Sequence, residues 1–124
     1  MGSSAGAGIE ERIRAALVRA LAWAVDAPND EAVWVRARDA AFSVLTAFWR
    51  QGELVGERPA DAFYVRCGHD TMTQRDLDNG RMIVQVGIAP VAAGEFVIVQ
   101  IEQMIRGRRR RVPLRRWFAR SAVS

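Results

Sequence analysis

The sequence predicts an α+β domain in which two long helices pack on one face of a small sheet of about three strands, antiparallel or mixed. Three observations carry this expectation. Apolar residues recur twice at helical spacing within the first 51 residues, the period changes to two after Pro59, and two strongly alternating apolar runs follow between residues 81 and 103.

The first helix is predicted over residues 9–26. Ile9, Ile13, Leu17 and Leu21 recur every four residues, with Ala16, Ala20 and Ala24 beside them. Glu10 and Glu11 place negative charge in the first turn, where it suits the helix dipole. Pro28 ends the helix and restricts Ala27 before it. Asn29 is the expected N-cap of a second helix from about Asp30 to Gln51, with Trp34, Ala37, Ala41, Leu45 and Phe48 on its apolar stripe. Phe42, Val44 and Trp49 widen that stripe, and Gly52 suits the position after the last turn.

Phe63, Val65 and Cys67 alternate with Tyr64 and Arg66, the pattern of a short strand. Thr73 is placed to cap a single helical turn carrying Arg75, Asp76 and Leu77, closed by Gly80. Residues 81–91 form the clearest strand, with Met82, Val84, Val86 and Ile88 on one face. Residues 95–103 form another, with Phe96 and Ile98 on one face and Val97, Val99 and Ile101 on the other. The short link through Pro90 and Gly94 favours antiparallel pairing of these two. A three-stranded sheet has two open edges, and the 95–103 segment lacks the proline and lysine that usually blunt one. Either the fold covers that edge or another chain pairs with it.

The chain has 124 residues, enough for one domain. Its single cysteine, Cys67, rules out an internal disulfide. No apolar run approaches the roughly 20 residues of a membrane span. Residues 1–8 are small, carry no signal-peptide pattern, and read as a disordered lead-in or a vector remnant. All 18 basic residues are arginines, set against 14 acids. The segment from Arg106 to Ser124 holds eight arginines and no acid, which leaves residues 1–105 with ten arginines against all 14 acids, a net of −4. The organisation expected is therefore a lead (1–8), an acidic domain (9–104) and a basic tail (105–124).

Three stretches, in order and spacing, resemble the C-terminal domain of contractile phage tail sheath proteins and of sheath proteins in related injection particles. They are Pro28-Asn29-Asp30-Glu31 with the helix ending Phe48-Trp49-Arg50-Gln51-Gly52, then Ala62-Phe63-Tyr64-Val65-Arg66-Cys67, then Val86-Gly87-Ile88-Ala89-Pro90-Val91 leading to Glu95-Phe96-Val97-Ile98. The similarity covers roughly residues 9–103. It implies an α+β domain whose sheet is completed by extended arms of neighbouring subunits around an inner tube. The implied partners are copies of this chain or full-length sheath subunits, the inner tail tube protein, and baseplate or terminator proteins. The implied setting is the bacterial cytoplasm during assembly, then a phage tail or injection particle. No cofactor, catalytic residue or metal site is implied. Full sheath proteins are several times longer and stop soon after the final strand, so a cap, an adaptor or a fragment of a split gene fits as well as a contracting subunit. The strands expected to carry assembly present Arg81, Val84, Val86 and Ile88 on one, and Phe96, Val97, Ile98, Val99 and Ile101 on the other. A proline at Val97 or Val99 is the expected way to break such pairing.

Other constellations have plainer readings beside them. Cys67, His69 and Asp70 lie together, but one cysteine and one histidine supply no second ligand pair and no nucleophile motif. Asp76, Asp78 and Asn79 resemble half a calcium loop without its glycine and terminal glutamate, and a solvated turn is the simpler account. Gly87 within a strand marks a bulge or a close backbone approach. Trp23, Trp34, Trp49 and Phe48 suit a ligand-stacking surface, but at helical spacing core or helix–helix packing is the simpler account. The tail carries Arg106, Arg108, Arg109, Arg110 and Arg111, then Pro113, then Leu114, Trp117 and Phe118 with Arg115, Arg116 and Arg120 around them. It suits an acidic protein surface, nucleic-acid phosphates or an anionic membrane, against the bland reading of a solubilising tail. The rival function is accordingly a small basic nucleic-acid-binding protein acting through that tail.

Overall fold

A computed structural model describes residues 4–106. Helix α1 spans Ser4–Ala20, a short 3-10 helix Ala22–Asp26, and helix α2 Glu31–Arg50. The short helix α3 (Pro59–Ala62) leads into strand β1 (Phe63–Arg66), and α4 (Gln74–Asp78) into β2 (Arg81–Ile88), with β3 (Val97–Met104) last. The sheet has the order β1-β2-β3 and is antiparallel throughout.

The expected single helix over 9–26 is two pieces, and the first begins at Ser4. Leu21 leaves α-helical geometry and the chain tightens into 3-10 turns. Ala27 is extended because the following Pro28 disfavours helical ψ. The cap of α2 also differs by one residue. Asp30 accepts from the Val33 amide, while Asn29 accepts from Trp34 Nε1 at 2.6 Å and donates to the Arg81 carbonyl at 3.3 Å. Asn29 thus ties the start of α2 to the start of β2, and the carboxylate next to it caps the helix.

Ile13, Leu17 and Leu21, with Ala37, Ala41 and Leu45 of α2, meet Met82, Val84, Val86 and Ile88 of β2 in one core, all fully buried. Phe63 joins from β1 and Val99 and Ile101 from β3. Both long helices therefore lie on the same sheet face, as the alternation in β2 and β3 requires. Phe42, placed by its spacing on the stripe, is about half exposed and only its edge reaches Phe63, 5.2 Å between centroids. Trp34 is buried, and Trp49 Nε1 donates to the Gly56 carbonyl at 2.9 Å, so both act as packing residues with their polar atom satisfied. Arg12 grips Glu53 through two bonds of 2.6 and 2.7 Å and links α1 to the turn after α2. That bond holds the half-buried Glu53 carboxyl below its ordinary range.

The single turn at α4 forms as expected. Thr73 and Asp76 make a reciprocal capping box, and Asp76 also receives Arg81 Nε at 3.0 Å. Asp78 accepts from Gln74. The carboxylates of the calcium-like stretch are thus committed to capping and to side-chain contacts.

Candidate assembly interface

The direction of the main-chain groups in β3 follows from one bond. The Ile105 amide donates to the Gly80 carbonyl at 2.7 Å, at the end of a register that pairs Arg81 with Met104 and Ile88 with Val97. Odd-numbered residues of β3 therefore turn their N–H and C=O groups toward β2. Ile98, Gln100, Glu102 and Met104 turn theirs outward, since pairing alternates along an antiparallel ladder. Among the described residues, the outward carbonyl of Gln100 receives Arg14 Nη1 at 3.0 Å, and that of Met104 receives its neighbour Gln103 at 3.1 Å. The four outward amides have no protein acceptor among the described residues. An eight-residue strand with four free donors is a template for a further strand.

The opposite edge is shorter and partly closed. Strand β1 has four residues, and the Phe63 amide is taken by the Pro59 carbonyl of α3. Just past its end, the Cys67 carbonyl accepts Arg38 Nη1 at 2.7 Å. Strand β2 is central: β3 pairs along its whole length and β1 along residues 85–88, and beyond β1 the Ile83 carbonyl accepts Thr71 Oγ1 at 2.8 Å and the Arg81 carbonyl accepts Asn29 Nδ2 at 3.3 Å. Of the residues expected to carry assembly, Val84, Val86 and Ile88 are buried in the core of this central strand, and Arg81 is bonded to Asp76. Val97, Val99 and Ile101 face the helices, Ile98 points away from them, and Phe96 lies just before β3. A proline at Val97 or Val99 would remove a bond within the chain's own sheet; the outward donors are those of Ile98, Gln100, Glu102 and Met104. That the outward set includes Gln100, Glu102 and Met104 depends on which strand pairs with which, and local periodicity does not carry that information.

The outer sheet face carries Tyr64, Gly87 and Ile98 in one row. A Cβ on Gly87 would sit 2.1 Å from Tyr64 Cε2, so the close approach anticipated there is the Tyr64 ring lying on the backbone, and the register runs on without a bulge. Tyr64 packs edge-on against Phe96 at 5.1 Å, and the Arg66 guanidinium lies over the Tyr64 ring at 5.0 Å.

Cys67, His69 and Asp70 do come together, around a cleft of about 380 Å³ shared with Glu31, Arg38 and Arg66. His69 stands edge-on to Trp34 at 5.0 Å. Burial pushes the Cys67 thiol up to about 12, which leaves negligible thiolate at neutral pH. Alkylation of Cys67 in the folded chain should consequently be slow and should accelerate only under unfolding conditions; rapid modification of the native protein at neutral pH would contradict this. Among the described residues, no three of His, Cys, Asp and Glu gather as a metal site, and no helix is long and apolar enough to cross a membrane. Arg106 is exposed, and its amide donates to the Val25 carbonyl at 2.8 Å. Arg108, Arg109, Arg110, Arg111, Arg115, Arg116 and Arg120 lie outside the described residues, and with them the segment on which nucleic-acid binding would depend.

Comparison with solved structures shows what the domain is similar to. A chain in the six-fold-symmetrised cryo-EM structure of the anti-feeding prophage baseplate is 39% identical, with a TM-score of 0.58 over 70% of this chain. The domain resembles contractile-injection-particle proteins. A chain in the contracted-state sheath complex of the PVC extracellular contractile injection system is 40% identical, with a TM-score of 0.50 over 68% of this chain. The alignments cover 25% and 23% of those two chains, so this chain spans about a quarter of the length of each injection-particle relative. No protein-family model matches the chain, and a search of curated proteins returned no match.

Proposed function

We propose that this chain is a structural subunit of a contractile tail or injection particle, a short sheath-like protein that joins its neighbours by strand pairing at the open edge of β3 around an inner tube. The observation that carries the reading is an eight-residue edge strand with four outward amides unpaired among the described residues, in a domain 39% identical to part of a baseplate-structure chain. A partner strand there would form about four to six main-chain bonds at roughly 0.5–1.5 kcal/mol net each. Repeated around a ring, that makes a joint strong enough to hold while subunits rotate. A fixed cap or adaptor at the end of a sheath uses the same joint without contraction. The work is mechanical and no catalytic group is invoked, in keeping with a thiol pushed up to about 12 in the cleft around Cys67. Candidate partners are other copies of this chain, longer sheath subunits, the tube protein and baseplate or terminator proteins. Co-expression of the full chain with sheath, tube and baseplate proteins from its own genome tests the reading. It should co-purify with particles, and its exclusion from every particle would overturn the proposal.

A further inference from the structure

Helix α1 runs alongside the open edge of β3. Arg14 Nη1 donates to the Gln100 carbonyl at 3.0 Å, and further on the Val25 carbonyl receives the Arg106 amide at 2.8 Å. The step from Arg14 to Val25 is roughly 18 Å at α-helical and 3-10 rises. The step from Gln100 to Arg106 is about 20 Å at strand rise. The two elements therefore keep in step along the edge. Among the described residues, Arg14 is the α1 side chain that hydrogen-bonds to β3.

That bond covers a group that a joining strand must use. Gln100 points both its amide and its carbonyl outward, so an incoming strand draws on both. It lies in the middle of β3 (Val97–Met104), and a pairing that spans the strand cannot avoid it. With Arg14 in place, the partner's N–H finds this carbonyl occupied by a charged donor. The guanidinium must then give up its bond or be covered as an unpaired charge, and either costs free energy. Charged side chains set against a sheet edge are a usual protection against unwanted pairing. Two free chains meeting in solution bear this cost in full. A strand offered by a neighbour already fixed in a ring acts at high effective concentration and overcomes it.

We propose that Arg14 guards the edge: in the free chain it occupies the Gln100 carbonyl and opposes pairing of β3 with other strands, and it is displaced when a tethered strand docks in the particle. This rests on β3 pairing with a neighbour's strand, and adds what holds that pairing back beforehand. The guard acts on the carbonyl and leaves the four outward amides free.

Sedimentation of the full chain over a concentration series tests it. Arg14→Ala should self-associate about tenfold more tightly than the wild type, the equivalent of one charge-assisted bond no longer displaced. Arg14→Lys keeps a charged donor and should stay within about threefold of the wild type. Arg14 is exposed and alanine favours a helix, so the fold survives the change. Adding Ile98→Pro to Arg14→Ala should abolish the gain, because that proline blocks the edge itself. Arg14→Ala should still enter particles; its exclusion would make Arg14 a contact that the joint needs, which contradicts a guard. Unchanged association of Arg14→Ala, where Ile98→Pro is excluded from particles, would overturn the guard and leave the strand joint standing. A gain that survives Ile98→Pro would also overturn it, since another surface would then carry the association. Normal particle uptake of Ile98→Pro would remove the joint and the guard with it.

Discussion

Ile98→Pro should abolish incorporation into particles while leaving the isolated chain folded. The Ile98 amide points away from β2, so proline removes no bond of the chain's own ladder, and edge strands accept proline where the N–H faces outward. For an incoming strand the change is severe. One donor is lost, and the ring Cδ occupies the space where the partner's carbonyl would approach. About two main-chain bonds fail, roughly 2 kcal/mol or a thirtyfold loss at each joint. Losses at successive joints in a ring compound, so assembly should fall below detection. Val99→Pro is the contrasting variant. Its amide serves the pairing with Val86, and its loss should cost about 3 kcal/mol or more in the fold itself. Sedimentation and co-purification separate the two cases, because Ile98→Pro should give a soluble, folded monomer and Val99→Pro an unstable chain. Particles that take up Ile98→Pro normally would exclude the β3 edge as the joint.

Gly80→Ala should be among the most destabilising single substitutions in the domain. Gly80 has φ +68, and a Cβ there would meet the Ile105 carbonyl oxygen at 2.5 Å. The left-handed conformation costs a residue with a Cβ about 1–2 kcal/mol, and the overlap adds roughly 1–3 kcal/mol because the obstacle is backbone and not a side chain that can rotate. The same glycine supplies the carbonyl that receives the Ile105 amide and fixes the end of the β2–β3 register. Gly94→Ala provides the comparison. Its φ is +79 but nothing lies within 4 Å of the added Cβ, so only the conformational cost should appear. Urea midpoints of the two variants should therefore differ clearly, and equal midpoints would remove the close-approach argument at Gly80.

The parts of the fold legible in the sequence are those fixed by local periodicity. The alternation of Met82, Val84, Val86 and Ile88 and of Val97, Val99 and Ile101 places both strands with the same residues facing the helices, because a period of two leaves no other arrangement. Thr73 and Asp76 announce the α4 turn by themselves. What was not legible depends on contacts distant in sequence. The exchange of roles between Asn29 and Asp30 depends on Arg81, 52 residues away, whose carbonyl claims the asparagine. The break at Leu21 has no glycine or proline at that position to signal it. At the candidate interface, the exposed strand was visible as an apolar run without proline, yet which of its amides are free is set by parity with β2 and needed the register. The cleft around Cys67 likewise draws Glu31 and Arg38 from α2, far from the residues that suggested it.

Amide hydrogen exchange along β3, compared between dilute monomer and assembled particle, tests the central claim most directly. The amides of Val97, Val99, Ile101 and Gln103 should be protected in both states, being bonded to β2. Those of Ile98, Gln100, Glu102 and Met104 should exchange quickly in the monomer and become slow in the particle. If those four amides stay fast after assembly, or are already slow in a dilute monomer, no partner strand docks at this edge.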